Sequence, residues 1–238
     1  LQNRAEGVVL IGTTHEMNAE FFEELNDYDI VPVIAGCAFR DPADKGITVP
    51  DVSVISIDNR KGIQLAVNHL RQLGYKKTAF MTGPQWHVDA FERAQAYKDF
   101  IGEFHKPILI ETDAEIKYNW KQGYKTLEEF FKNGKKNSVS DEIDSLITYN
   151  DDLAIGAMRF LAENNIHVPL DLAVVGFDDT PESEFFIPSL TTLSQPVDAI
   201  STKTVDIIEK SLLDKSFLKQ LYICPELRIR ESTDTKNK

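Results

Sequence analysis

The feature that most constrains this chain is a regular alternation of short apolar runs with amphipathic segments of helical spacing. The runs are residues 7–12 (GVVLIG), 30–36 (IVPVIAG), 52–58 (VSVISID), 78–83 (TAFMTG), 107–112 (PILIET), 144–150 (DSLITYN) and 172–178 (LAVVGFD). They are rich in β-branched residues and apolar on both faces, as parallel strands covered by helices on each side must be. Between them, residues 61–73 place Ile63, Ala66, Val67 and Leu70 on one helical face and stop at Gly74. Segments 91–104, 121–131, 153–163 and 197–213 repeat that spacing. The order is βαβα, which predicts an α/β fold with largely parallel strands, and this many strands in 238 residues implies two sheets. No internal repeat, low-complexity tract or long linker interrupts the pattern.

Composition removes several function classes. The net charge is −12, from 26 Lys+Arg against 38 Asp+Glu. DNA affinity depends on cations that neutralise phosphates, so this acidic stretch is expected to bind DNA poorly by itself. No run approaches the roughly 20 apolar residues of a membrane span, and the opening LQNRAEGVVLIG has no secretory pattern. The two cysteines, Cys37 and Cys224, are far apart and outside any Cys-x-x-Cys, which fits reduced thiols in the cytoplasm.

Catalytic and cofactor signatures are missing. There is no G-x-x-x-x-G-K-[ST], G-x-G-x-x-G or G-x-S-x-G, so no nucleotide cofactor and no catalytic residue is expected. The five histidines (His15, His69, His87, His105, His167) are scattered, without the spacing of metal ligands. Adjacent acids at Asp151–Asp152 and Asp178–Asp179 suit a helix cap or a turn better than acid/base catalysis. In open parallel sheets, ligands bind beyond the carboxyl ends of the strands. The polar residues to inspect are therefore Asp58 with Asn59, segments 84–93 and 113–120, Asn150 with Asp151, and Asp178 with Asp179.

Three segments carry a more specific signal. They are NDDLAIG with NNIHVPLDLAVVGFDDTPESEFFIPSLTTLSQ (150–156 and 164–195), VISIDNRKGIQLAVNHLRQLGYKKTAF (54–80) and ELRIREST (226–233). Together they resemble the effector-binding core of the lactose/galactose-repressor (LacI/GalR) family of bacterial transcription regulators. Sugar-binding proteins of transporters share the architecture, but the run VPLDLAVVGFDD…LTTLSQP and the REST-like ending look like the regulator branch. The resemblance implies two doubly wound parallel-sheet lobes of the periplasmic-binding-protein type, with a small-molecule effector, a sugar or sugar derivative, held between them. It implies an N-terminal lobe of residues 1–76 plus about 195–217, and a C-terminal lobe of 77–194 plus about 218–238. It further implies that the first lobe is incomplete and that the helix-turn-helix that contacts operator DNA lies outside this sequence. A homodimer is expected, without membrane association or enzymatic activity.

Mapped by motif, the resemblance implies sugar contacts at Arg93, in R-A-Q-A-Y with Ala96 where the family has glycine, and at Tyr118, five residues before Gly123. It implies further contacts at Asn150, at Asp178 (the first acid of GFDD), at Gln195, which closes LTTLSQ, and at Asp89. These types suit a polyhydroxylated ligand, because carboxylates accept from hydroxyls, guanidinium groups donate and amides do both. Five of the six also have a plainer reading from the residues alone. Arg93 and Gln195 could be surface polars, Asn150 a helix cap, Asp178 a turn residue and Tyr118 a packing aromatic.

Overall fold

A computed structural model describes residues 5–12, 19–37, 52–84, 87–112, 119–133 and 142–234. The chain divides into two compact units, Leu1–Asp58 with Pro196–Cys224, and Asn59–Gln195 with Pro225–Lys238, so it passes between them three times.

In the first unit, β1 (Gly7–Ile11), β2 (Val31–Ala35), β3 (Ser53–Ile57) and β9 (Gln220–Ile223) form one sheet in that order, with α1 (Ala19–Asp27) and α7 (Val197–Leu213) between strands. Every pairing is parallel, with Val33 opposite Ser53 and Val54 opposite Gln220. All five residues of β3 are buried, as the doubly apolar pattern requires. β1 departs from it, since Val9 and Ile11 are exposed. Phe22, Ile34, Cys37, Val52 and Val54 pack together as this unit's core.

The second unit contains α2 (Asn59–Gln72), β4 (Thr78–Met81), α3 (Val88–Gly102), β5 (Ile108–Ile110), α4 (Trp120–Asn133) and β6 (Ser145–Thr148). It continues with α5 (Asp151–Glu163), β7 (Ala173–Asp178), α6 (Pro181–Phe185), β8 (Thr191–Ser194) and β10 (Glu226–Arg228). Among the described residues its six strands run β10-β8-β7-β6-β4-β5. They are parallel except β10, which runs antiparallel to β8 along the edge. Met81, Leu127, Leu146, Leu153, Ala157, Leu172 and Val174 belong to one apolar cluster. Helices α4 and α5 meet backbone to backbone. A Cβ on Gly123 would run into the Leu153 carbonyl, and one on Gly156 into the Trp120 carbonyl and the Tyr124 nitrogen.

Helix α2 buries the expected face, Ile63, Ala66, Val67 and Leu70, but against a different partner. A Cβ on Gly62 would press on Phe177 and Pro225, so this glycine seats α2 on the second unit's sheet. The division expected near residues 76 and 77 therefore falls at Asp58 and Asn59. At the other end, residues from 218 onward were expected in the C-terminal lobe. Instead β9 extends the first sheet beside β3, and only β10 joins the second. A strand is claimed by the sheet edge that satisfies its backbone groups, and β3 offers such an edge.

Candidate functional site

The end of β7 departs from ordinary strand geometry. Asp178 has φ 123° and Asp179 φ 59°, two consecutive non-glycine residues on the positive side. Such conformations cost on the order of 1–3 kcal/mol each and persist where surrounding contacts enforce them. Those contacts are visible. Asp179 is held by Arg230, whose Nη2 lies 2.6 Å from its Oδ1. The next residue donates from its backbone nitrogen, Thr180 N to Asp151 Oδ2 at 2.8 Å.

Asp151 is fully buried and also accepts from Thr192 Oγ1 at 2.5 Å. It lies over β7 at Gly176, where any side chain would collide with its carboxylate. Burial pushes its pKa up to about 7, against the two hydrogen bonds from Thr192 and Thr180. The sign follows from the proton balance. Below its unfolded value near 3.8 both states hold the proton, and from there to about 7 only the folded state does. Its contribution to stability is thus present at low pH and lost as pH rises through about 7. Asparagine can donate to the Thr192 hydroxyl and accept from Thr180 N without ionising. Urea denaturation of Asp151→Asn is therefore expected to show a stability that gains on the parent by on the order of 2 kcal/mol between about pH 5 and pH 8. Parallel curves for the two proteins would contradict this assignment.

The turn presents Asp178 to a cluster assembled from α2, α3, β6, β7 and β8. Gln195, just after β8, donates from Nε2 to Asp178 Oδ1 at 2.6 Å. Arg93 of α3 places Nη1 3.8 Å from the same oxygen; its side chain is 3% exposed, that of Asp178 29%. The guanidinium also donates from Nη1 to the Tyr149 carbonyl at 2.7 Å and from Nε to Asn59 Oδ1 at 2.8 Å. Its Cζ lies 3.4 Å from the centroid of the Phe177 ring and 5.0 Å from that of Tyr149. Asn59 in turn donates from Nδ2 to Asp89 Oδ1 and Glu92 Oε2, both at 2.8 Å. Burial raises the Asp178 pKa, outweighing Arg93 and the Gln195 hydrogen bond, while Asp89 and Asp152 add to the rise. His87 Nδ1 lies 3.8 Å from Asp89 Oδ2, yet burial keeps the His87 pKa below its ordinary value.

Four of the six expected contacts, Arg93, Asp178, Gln195 and Asp89, thus share one connected network. Asn150 stands beside it, next to the Tyr149 carbonyl, and its side chain caps α5 by accepting from Leu153 N at 3.0 Å. Tyr118 lies outside the described residues. Asn59 was marked for inspection because it follows a strand, but not as a ligand contact; Glu92 and His87 fell within the marked segment 84–93 without being named for a role. Among the described residues no group of three or more His, Cys, Asp or Glu is arranged to hold a metal ion. No described helix is long and apolar enough to cross a membrane.

Residues 67–233 match the family model of the periplasmic binding protein-like domain. The chain belongs to that family. Among curated relatives of this periplasmic binding protein-like domain is the HTH-type transcriptional regulator RegA of Clostridium saccharobutylicum. It is 29% identical over 98% of this chain and 66% of its own length. The lactose operon repressor of Escherichia coli is 29% identical over 76% of this chain and 49% of its own. A LacI-family transcriptional regulator of Enterococcus faecalis, solved with bound ribose, superposes with a TM-score of 0.78. It is 22% identical over 96% of this chain and 78% of that one, which establishes the shared fold. The resemblance drawn from the sequence to the effector region of LacI/GalR regulators therefore holds, and these relatives are regulators of transcription, not enzymes. The chain spans about half to two-thirds of the length of the curated relatives, 66%, 50% and 55% of the first three.

Proposed function

We propose that this chain is the sugar-sensing part of a bacterial, cytoplasmic DNA-binding transcription regulator, and that a sugar held at the Asp178–Arg93–Gln195 cluster changes operator affinity in the whole protein. The observation that carries this reading is the Asp178 carboxylate. A strained turn at the carboxyl end of a parallel strand holds it, neighbours brace it on one side, and 29% of its side chain remains accessible. A carboxylate so placed can accept from two ligand hydroxyls, and polar recognition of that kind separates epimers sharply. The regulator relatives favour this role over transport.

The test is a thermal-shift and calorimetric screen of ribose, glucose, galactose, cellobiose and lactose on the full-length protein. A gel shift on its operator with and without each hit completes it. A hit that alters operator retention is the expected result, and sugars that bind without any effect on DNA would point to transport instead. With its charge of −12, the chain alone is expected to leave operator DNA unretained even at low salt.

The regulator is proposed to act as a homodimer, since palindromic operators mirror two-fold protein symmetry. Phe185 and Ile187 are 83% and 90% exposed on one short segment of the second unit, the sort of apolar surface a subunit contact covers. Sedimentation should give a dimer that Phe185→Ser weakens. A monomer at all concentrations would contradict the dimer.

A further inference from the structure

An anionic sugar, a uronate or a sugar phosphate, is best recognised by a guanidinium that offers two parallel N–H groups to its oxygens. Arg93 does not offer that face. Its Nε is taken by Asn59 and its Nη1 by the Tyr149 carbonyl, Phe177 lies 3.4 Å from its Cζ, and only 3% of the side chain is exposed. Its charge is already set against Asp178, and among the described residues Arg93 is the cation paired with that carboxylate. The neutral donors are engaged as well. Asn59 Nδ2 serves Asp89 and Glu92, and Gln195 Nε2 serves Asp178. Asp89 and Glu92 accept from Asn59 rather than from Arg93, and the accessible charged group of the cluster is the Asp178 carboxylate, an acceptor.

We propose that the ligand of this cluster is an uncharged, hydroxyl-rich molecule, and that the site rejects the same carbon skeleton once it carries a carboxylate or phosphate. This rests on the sensing role proposed above and narrows its ligand class. Hydroxyl groups can donate to Asp178, whereas an anion brings only acceptors and a like charge. Like charges about 4 Å apart near a protein surface disfavour binding by roughly 10- to 1,000-fold.

Calorimetry on the full-length protein with matched sets reads this directly. The sets are glucose with glucuronate and glucose 6-phosphate, galactose with galacturonate, and ribose with ribose 5-phosphate. The expected result is a neutral hit whose acid and phosphate bind at least about 10-fold more weakly. Asp178→Asn should weaken the neutral sugar yet narrow its advantage over the anions by about 10-fold. Glu92→Gln, which keeps an acceptor for Asn59, should narrow it without abolishing binding. Removing a brace would scale neutral and anionic ligands alike, so the ratio separates charge from mere positioning. A uronate or phosphate binding as tightly as its neutral parent would overturn the inference while leaving the sensing role intact. If neither the neutral nor the charged members bind, the sensing role falls and this inference with it.

Discussion

Gly156→Ala is expected to destabilise the second unit by about 3 kcal/mol or more, although alanine is the better helix former by about 1 kcal/mol. The sign is decided by what the new methyl meets. At Gly156 it is the Trp120 carbonyl and the Tyr124 nitrogen, both backbone atoms of the neighbouring helix. A side chain in the way can rotate, but a helix backbone can only be displaced as a body, and α4 and α5 cover the same apolar cluster. Gly123→Ala meets the Leu153 carbonyl from the opposite side and should behave alike. Gly102, the last residue of α3, has nothing within 4 Å of its would-be Cβ. Gly102→Ala is thus a control in which propensity acts alone, and it should be neutral or slightly stabilising. Urea midpoints of the three variants check the claim, and a Gly156→Ala protein as stable as Gly102→Ala would show that the helices do not meet as closely as described.

How far the sequence revealed this molecule depends on which interactions are local. The buried face of α2 was readable from Ile63, Ala66, Val67 and Leu70, because periodicity reports that a helix has an apolar side. It does not report which sheet will cover that side. The contact that decides, Gly62 against Phe177 and Pro225, joins residues more than a hundred positions apart. Strands β1 to β7 announced themselves as apolar runs. β8 (TTLS) and β9 (QLYI) did not, because polar side chains interrupt them: Thr191, Thr192 and Ser194 in the first, Gln220 and Tyr222 in the second. In the site, Asp178, Gln195, Arg93 and Asp89 were reached through family resemblance, and the strand-end rule pointed independently to Asp178 and to the segment holding Arg93 and Asp89. Asn59 was only half visible. Its place after a strand marked it as polar and interesting, but its role as acceptor for Arg93 and donor to Asp89 and Glu92 depends on α2 and α3 lying side by side. Asp151 was read as a cap or turn residue, and its function as a buried brace needed Thr180, Thr192 and Gly176 in view together.

Arg93→Met should have the largest effect on binding. Methionine preserves much of the volume beside Phe177 and removes the charge and the fork. Asn59 then loses the donor to its Oδ1, the Tyr149 carbonyl loses its partner, and Asp178 is left without a counter-charge. Removing one partner of a fully buried ion pair costs about 3–5 kcal/mol. Asp178 keeps an accessible edge that water can screen, so a loss of about 2–3 kcal/mol is expected here. Affinity for the sugar hit should fall by about 30- to 1,000-fold, since the carboxylate that accepts its hydroxyls loses both charge and position. The pH dependence identifies the cause. Arg93 holds the Asp178 pKa down against burial, so without it the carboxyl protonates at higher pH than in the parent. Binding by Arg93→Met should therefore weaken on mild acidification while the parent is still unaffected. Arg93→Lys, which keeps a charge but cannot serve Asn59 and Tyr149 at once, should fall between the two and retain the parent's pH profile. A folded Arg93→Met protein that binds the sugar within about twofold of the parent, with an unchanged pH profile, would remove Arg93 from the site.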